Sequence, residues 1–309
     1  MIKIELLLKA LILAFLLDIA FGEPVRILHP VVWMGKIIEK LADAGRKIRR
    51  KERKKIYGFF ILFLCLSLAG GLGYILQSYL GSSSKVFSIL ILAYLIKSCF
   101  SFNSLIRSSH SAYRSIKRDL DEGREKVGKL VSRDVKRLNE RELISAVIES
   151  TSENFVDGFL SPLFYLALFG LPGILGFKIV STLDSMIGYR NERWNEIGFA
   201  SAKMDDVLNF IPSRLSILII SISSLKIDLR TVFIESRKVE SPNSGYPMAS
   251  VSSALKVKLT KPAHYVIGER FRDVEAEDII KTENIIIRSC ILSSILIILS
   301  IYFTGLPLI

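Results

Sequence analysis

Three polar strings lie among apolar runs between residues 149 and 214, and their side chains are of types that handle metal and phosphate. They read ESTSENFVDG from Glu149, TLDSMIGYRNER from Thr182, and AKMDDVLN from Ala202. Ionisable groups near the apolar interior of a membrane are costly, so they are functional candidates by default. Carboxylates beside arginines suit a phosphorylated ligand held through Mg²⁺, which takes one or two carboxylates plus phosphate oxygens.

The spacing of these residues supports a shared site. Glu149, Glu153 and Asp157 recur at every fourth position, which would place them on one face of a helix. The candidate carboxylates are Glu153, Asp157, Asp184, Asp205 and Asp206, and the candidate substrate- or phosphate-binding residues are Arg26, His29, Asn154, Arg190, Asn191, Arg193, Arg214 and Asn243. The competing interpretation is that the acids only form interfacial salt bridges with Arg190, Arg193 and Lys203. The competing interpretation of Arg26 and His29 is that they belong to a turn that anchors the chain at the membrane interface.

Composition indicates the class of protein that must position these side chains. Half of the 309 residues are hydrophobic, 23% are charged and the formal net charge is +12. The apolar residues are concentrated in long runs, which is typical of a membrane protein. No nucleic-acid-binding motif accompanies the positive charge, so nucleic acid is not a predicted partner. Much of that charge lies in residues 36–55, between two apolar runs, as in a short cytoplasmic loop.

We therefore predict an all-α, polytopic helical membrane protein, multi-pass in the cell membrane, with its active site facing the cytoplasm. Four clear spans are expected at residues 6–21, 57–80, 86–106 and 285–304. Glycine and proline interrupt the run 159–180, and Pro212 and Arg214 shorten the run 207–225, so both are predicted to be broken or re-entrant. The chain 1–309 is one membrane-embedded domain, with a cytoplasmic helical insertion at about 107–158 and a second cytoplasmic tract at about 226–284. Gly123 is predicted to separate two helices of the insertion.

Several strings resemble one family when read in order along the chain. They are LLDIAFGEPVRILHPVVWMGKII, VSRDVKRLNERELISAVIES, ESTSENFVDGFLSPLFY, STLDSMIGYRNERW, GFASAKMDDVLNFIPSRL and SPNSGYPMASVSSAL. Together they resemble the cobalamin-biosynthesis CbiB/CobD family, the adenosylcobinamide-phosphate synthases. The resemblance runs from about residue 11 to beyond residue 255. Ser181 stands where the family often has Asn, and Tyr246 where Trp is common, which bears on fine substrate contacts.

The resemblance implies a membrane-bound ligase that uses ATP and Mg²⁺. Its substrates would be adenosylcobyric acid and (R)-1-aminopropan-2-ol phosphate, or a related aminoalcohol phosphate, joined by an amide bond. The implied partners are these corrinoid and aminoalcohol phosphate substrates, the lipid bilayer and other cobalamin-pathway enzymes.

Residue roles follow from the side chains as hypotheses. ATP would convert the corrinoid carboxylate to an acyl phosphate, with Glu153, Asp157 and Asp184 holding magnesium. Arg190, Arg193 and Arg214 would neutralise phosphate charge. Asp205 or Asp206 would take the proton from the incoming ammonium group.

Two other classes of protein are alternatives. A membrane transporter would also carry acids beside broken helices, although no internal repeat is visible. A membrane phosphotransferase of the CDP-alcohol type would need Ala-Arg after an Asp-Gly pair, and Asp157-Gly158 is followed by Phe-Leu-Ser-Pro instead. The nucleotide that reacts would distinguish the ligase from both.

Overall fold

The fold is mainly helical, as predicted, in a computed structural model that describes residues 4–82, 85–189, 194–226 and 228–305. The helices are α1 (Ile4–Phe21), α2 (Pro30–Arg46), α3 (Lys51–Ser82), α4 (Lys85–Lys97), α5 (Asn103–Arg118), α6 (Leu120–Val127), α7 (Glu140–Phe155), α8 (Ser161–Ile187), α9 (Phe199–Leu208), α10 (Phe210–Ser224), α11 (Leu229–Glu235), α12 (Gly245–Leu255) and α13 (Glu277–Thr304). A π-helical turn, Val156–Leu160, joins α7 to α8.

Four helical stretches among the described residues are long and apolar enough to cross a membrane. They are Lys51–Gly81, Glu140–Ile187, Phe199–Ser224 and Glu277–Thr304. The first and last contain two of the predicted spans, whereas the middle two contain the runs predicted to be broken. The fold class is therefore confirmed, although the long apolar helices are not the four that hydropathy alone suggested.

Two of the predicted spans look different in the structure. Residues 6–21 do form a helix, α1, but it carries Glu5, Lys9 and Asp18 and is not among the four stretches. The prediction of one span over residues 86–106 is wrong, because α4 ends at Lys97 and α5 begins only at Asn103. The intervening Ser98–Phe102 peptide is apolar enough to extend a hydropathy window, yet it does not continue the helix.

The chain forms two compact units by its internal contacts. The first unit comprises Met1–Ser101, Ser161–Leu208 and Leu296–Ile309, and the second comprises Phe102–Leu160 and Asn209–Ile295. The predicted helical insertion and the second predicted cytoplasmic tract both fall in the second unit.

In the first unit, α8 reverses direction at Gly170. Gly170 has φ 64° and ψ −146°, which is not helical. The rings of Tyr165 and Phe177 lie 5.4 Å apart, whereas residues twelve apart in a continuous helix would be separated by about 18 Å along the axis. The run is therefore broken where its glycines predicted. Within the run 159–180 each half is shorter than the ~20 residues that a crossing needs, and the prediction that the run is re-entrant stays a prediction.

A buried glutamine on α3 satisfies the backbone freed by this reversal. Gln77 Oε1 accepts a hydrogen bond of 2.8 Å from the Leu171 amide, and the Gln77 side chain is almost fully buried. A helix break leaves amide groups without intrahelical partners, which is expensive in apolar surroundings. A Cβ atom at Gly170 would also collide with Gln77 Oε1. Gln77 and Gly170 therefore specify the hairpin together.

Replacing this glutamine should destabilise the first unit. In Gln77→Met the Leu171 amide loses its acceptor while the buried volume is nearly conserved, so we expect a loss of about 1–3 kcal/mol. The measurement is the unfolding midpoint of the purified protein in detergent. Leu72→Met, an exposed apolar position on the same helix, is the control and should leave the midpoint nearly unchanged. Equal midpoints for both variants would refute the proposed capping role.

In the second unit, the predicted helix break at Gly123 is wrong. Gly123 lies inside α6, and the chain breaks at Asp119, whose carboxylate accepts from the amides of Asp121 and Glu122. This is an ordinary N-cap. Gly123 instead allows α6 to approach α5, since a Cβ there would lie 2.9 Å from a side-chain carbon of Ile116.

A small sheet in the second unit was not predicted. Strand β1 (Val257–Lys261) pairs antiparallel with β2 (Tyr265–Ile267) and parallel with β3 (Arg272–Asp273). Val257 and Leu259 are buried while the residues between and after them are partly exposed, which is the alternation of a strand with one covered face. The sheet packs on α7, where the Thr260 amide donates to Ser145 Oγ.

Candidate functional site

A buried ionic network occupies the second unit, with Glu149 at its centre. The Glu149 carboxylate accepts from Arg133 Nη2 at 2.9 Å and from Tyr265 Oη at 3.0 Å on one oxygen. Ser145 Oγ donates to its other oxygen at 2.7 Å. The helix that carries Glu149 begins with a capping box formed by Asn139 and Glu142, which fixes the start of α7. The Glu149 carboxylate is only 5% exposed. It has one partner from the loop before α7 (Arg133), one from α7 itself (Ser145) and one from strand β2 (Tyr265).

Arg133 is the functional candidate that sequence reasoning missed. Its side chain is 14% exposed, and its Nη1 atom is buried without a hydrogen-bond partner among the described residues. A buried, unsatisfied guanidinium nitrogen is costly, and it can donate to an anionic ligand in addition to Glu149. The sequence carried little signal for it, since Arg133 lies sixteen residues before Glu149 in a stretch that otherwise reads as solvent-exposed.

Tyr265 remains a protonated donor in this network. Burial raises the pKa of its hydroxyl above the ordinary value, and the neighbouring negative charge of Glu149 raises it further. Glu153, one turn beyond Glu149 on α7, also interacts electrostatically with Tyr265. The structure therefore brings the predicted residue Glu153 close to this network.

The other predicted residues of the acidic string follow the helix geometry only in part. Asn154 lies on α7, where its Nδ2 atom donates to the Ser150 carbonyl at 2.9 Å. Asp157 lies in the π-helical turn that follows α7. Glu149 and Glu153 both lie on α7, four positions apart, as the expected shared face requires, whereas the place of Asp157 on that face stays a prediction because it belongs to the π-helical turn.

Arg214 and Asn243, both predicted to bind phosphate, lie together in the second unit. Arg214 Nη1 donates to Asn243 Oδ1 at 2.9 Å and to the Phe210 carbonyl at 2.9 Å. The guanidinium also lies against the rings of Phe210 and Tyr246, 3.6 and 4.4 Å from their centroids. The structure therefore brings these two predicted residues together, and their contacts fix α10 to the 241–246 turn.

In the first unit, the end of α8 brings two predicted aspartates close to each other. Asp184 and Asp206 are near enough to interact electrostatically, and Asp184 forms no ion pair within the described part of the chain. A Cβ atom at Gly188 would collide with Asp184 Oδ1, so the glycine provides the room for this carboxylate. Gly198 likewise packs against the Ile187 carbonyl, where a Cβ atom would collide. This close contact lets the residues before α9 pack against the end of α8.

The neighbouring acids on α9 already have contacts. Asp206 pairs with Lys203 at 3.3 Å, on the next turn of the helix, so the salt-bridge interpretation applies to this residue. Asp205 interacts electrostatically with Tyr165, whose hydroxyl donates to the Leu208 carbonyl at 2.9 Å. The contacts of Tyr165 hold α9 against the hairpin.

The N-terminal string forms a polar cluster in the first unit. His29 caps α2 by accepting from the Val31 amide at 3.3 Å, and its other ring nitrogen lies 3.1 Å from Glu23. Ser101 Oγ donates to Glu23 at 2.7 Å. Lys97 is 4% exposed and interacts electrostatically with Glu23 and with Asp18. These contacts give His29 a structural role as a cap.

Arg26, also predicted to bind phosphate, is exposed in the turn before α2. Its predicted role stays a prediction.

Part of the predicted site lies outside the described residues, namely Arg190, Asn191 and Arg193. Of the predicted magnesium ligands, Glu153 and Asp157 belong to the second unit and Asp184 to the first. The described residues contain no group of three or more His, Cys, Asp or Glu side chains that could hold a metal ion. The acidic pair Asp184 and Asp206 suits magnesium, which needs only one or two carboxylates when phosphate supplies other ligands.

Comparison with known proteins gives a consistent result along the chain. The family model described as CobD/Cbib protein matches residues 11–291. The "Probable cobalamin biosynthesis protein CobD" of Methanothrix thermoacetophila is 41% identical, over 93% of this chain and 95% of that protein. The "Cobalamin biosynthesis protein CobD" of Dehalococcoides mccartyi is 36% identical, over 84% of this chain and 86% of that protein.

A third relative, from Pyrococcus furiosus, carries the name "Probable cobalamin biosynthesis protein CobD". It is 40% identical, over 82% of this chain and 85% of that protein. No solved structure matches the chain.

Proposed function

This chain belongs to the CobD/Cbib family, and we propose that it is the ATP-dependent ligase that forms adenosylcobinamide phosphate. The reaction joins a carboxylate of adenosylcobyric acid to the amine of (R)-1-aminopropan-2-ol phosphate, or of a related aminoalcohol phosphate. The observation that carries the proposal is a family match over residues 11–291, which includes every predicted site residue. The four long apolar stretches support a membrane location, and we place the site on the cytoplasmic side of the cell membrane, where ATP is available.

The acidic pair supports the phosphoryl chemistry of this proposal. When bound, Mg-ATP supplies the phosphoryl group that activates the otherwise unreactive carboxylate. Asp184, which has no ion pair among the described residues, is the first candidate to hold the magnesium ion, and Glu153 and Asp157 remain candidates as well. Fixed carboxylates cost no rearrangement at the moment of reaction, which is why pre-organised charge lowers barriers effectively.

Side chains other than the first magnesium candidate, Asp184, would remove the proton from the amine and bind the anionic groups of the substrates. The aminoalcohol nitrogen is an ammonium ion at neutral pH and must lose a proton before it can attack. Asp205 or Asp206 would accept that proton, and Asp206 lies 3.3 Å from the ammonium group of Lys203. Arg133, with one buried nitrogen unpaired within the described residues, would bind a carboxylate or phosphate oxygen.

The test is reconstitution with defined substrates. Protein purified in detergent is incubated with adenosylcobyric acid, aminopropanol phosphate and Mg-ATP, and the corrinoid is analysed by mass spectrometry. We expect the amide product and release of ADP and phosphate in equal amounts. Omitting either the amine or the nucleotide should abolish the product. Failure to form the amide with any nucleotide would overturn the proposal.

Transport is the second candidate function because the reversal at Gly170 is a broken membrane helix of the kind that transporters use at binding sites. The same purified protein, placed in sealed vesicles, tests it. Uptake of labelled corrinoid without covalent change would favour a transporter, whereas amide formation without uptake favours the ligase.

A further inference from the structure

A cleft in the second unit lies along one face of α5, away from the residues discussed so far. It has a volume of about 570 Å³ and is lined by residues that include Arg107, His110, Arg114, Arg118, Glu122 and Lys126. The α5 residues among them are spaced by three or four positions, so they project from the same side of the helix. Helix α6 closes the cleft, since Gly123 lets it pack tightly on α5.

The charges in this cleft are strongly unbalanced. Four cationic side chains face a single carboxylate, Glu122, and only Arg118 pairs with it, at 3.3 Å. Arg107, Arg114 and Lys126 form no ion pair anywhere in the described part of the chain. Cations held this close repel one another, and a bound anion would relieve the repulsion. The arrangement is therefore suited to a polyanionic ligand.

His110 adds a neutral or cationic donor to the same cleft. Its Nδ1 atom lies 3.2 Å from Glu283 Oε2, and Glu283 is 5% exposed. A carboxylate partner of this kind fixes the orientation of the ring. With Nδ1 engaged by Glu283, the second ring nitrogen is available to a ligand in the cleft.

We propose that this cleft binds a phosphate-bearing anion. Arginine forks match pairs of phosphate oxygens, and the volume falls within the range of small-molecule sites, about 300–1,000 Å³. The phosphate can belong to a soluble molecule or to the headgroup of an anionic lipid, because both present the same oxygens. The proposal does not rest on the ligase reaction, and it concerns residues other than the acidic pair on α8 and α9.

Direct binding of inorganic pyrophosphate to the purified protein in detergent tests the soluble source. We expect saturable 1:1 binding by calorimetry, weakened at least tenfold in the double variant Arg107→Ala/Arg114→Ala. The control is Lys136→Ala/Arg137→Ala, which removes the same charge from two exposed residues of the same unit. These two side chains form no ion pair within the described residues. The control should bind within about twofold of the unmodified protein.

A second arm tests the lipid source in nanodiscs. The protein is placed in phosphatidylcholine alone or with one-third phosphatidylglycerol, and its unfolding temperature is compared, since a ligand of the folded state raises it. Stabilisation by phosphatidylglycerol that is lost in Arg107→Ala/Arg114→Ala, together with no pyrophosphate binding, assigns the phosphate to a lipid. Saturable pyrophosphate binding that is lost in Arg107→Ala/Arg114→Ala and kept in the control assigns it to a soluble molecule.

Two outcomes would overturn the proposal. One is the absence of both pyrophosphate binding and a phosphatidylglycerol effect. The other is an equal result in Arg107→Ala/Arg114→Ala and in the matched control: equal loss would show a response to total charge only, and equal retention would show that the anion binds elsewhere. Neither readout requires amide formation, so this site and the ligase reaction can fail separately.

Discussion

Asp184→Asn is expected to lower amide-forming turnover by about a hundredfold or more while the protein remains folded and membrane-inserted. The substitution keeps the shape of the side chain but removes a charge from the acidic pair with Asp206. Pre-organised groups that stabilise developing phosphoryl charge typically contribute about 2.7–4 kcal/mol to the transition state. The measurement is kcat with saturating adenosylcobyric acid, aminopropanol phosphate and Mg-ATP, together with the unfolding midpoint in detergent.

Matched variants separate a metal-binding role from a structural one. Asp43→Asn removes an exposed carboxylate of the same unit whose one ion pair within the described residues is with Arg46, three positions away, and should leave turnover unchanged. Gly188→Ala keeps the Asp184 charge but displaces its carboxylate, so it should also lower turnover. Raising the magnesium concentration should partly restore a weakened metal site and should not restore a lost salt bridge. A folded Asp184→Asn protein with unmodified rates would remove Asp184 from the site.

The helical membrane class and the break in α8 could be predicted from sequence because their causes are local. Long apolar runs indicate membrane helices by composition alone. Gly170 adopts a positive φ that other residues rarely tolerate, and Pro172 follows it within the same helix. What could not be predicted is that Gln77, on a different helix, would supply the hydrogen bond that stabilises the reversal.

Helix ends were harder to predict where apolar composition continued past them. The run 86–106 is mostly apolar on both sides of Lys97, yet α4 ends at Lys97, whose side chain is buried and interacts with Glu23 and Asp18. The position of that end depends on residues that are distant in sequence. The helix start at Asp119 could have been predicted, because aspartate is a preferred N-cap residue whose carboxylate accepts from the amides two and three positions later. The prediction instead used Gly123, because glycine is a common helix breaker.

The candidate site shows the same division between local and distant causes. The acids were found because charged residues in apolar surroundings stand out in a sequence. Arg133 was missed because its role depends on a contact with Glu149, sixteen positions away. It also depends on Tyr265, which contacts Glu149 from a strand that was not predicted. The Asp206–Lys203 pair could be anticipated from its spacing of three residues. Hydrophobic patterning thus indicates which elements form, whereas the partners of buried charges depend on tertiary structure.

Removing the guanidinium of Arg133 should have the largest effect on stability. Arg133→Met leaves the Glu149 carboxylate buried without its cation, and breaking a buried ion pair in this way costs about 3–5 kcal/mol. Glu149 would keep its hydrogen bonds from Ser145 and Tyr265, but neither donor carries a charge. We expect a large drop in the unfolding midpoint of the purified protein in detergent, and weaker corrinoid or phosphate binding by any protein that remains folded.

An exposed ion pair of the same unit provides the control. Lys129 and Glu125 lie 2.7 Å apart with side chains that are 64% and 68% exposed, and such pairs contribute little because water screens them. Lys129→Met should therefore leave the midpoint almost unchanged. The double variant Arg133→Met/Glu149→Met removes both buried charges and should recover part of the lost stability, since the desolvation cost of Glu149 disappears with its carboxylate. If Arg133→Met lowered the unfolding midpoint no more than Lys129→Met does, the network around Glu149 would not be a buried charge cluster. Arg133 would then no longer be a candidate anion-binding residue.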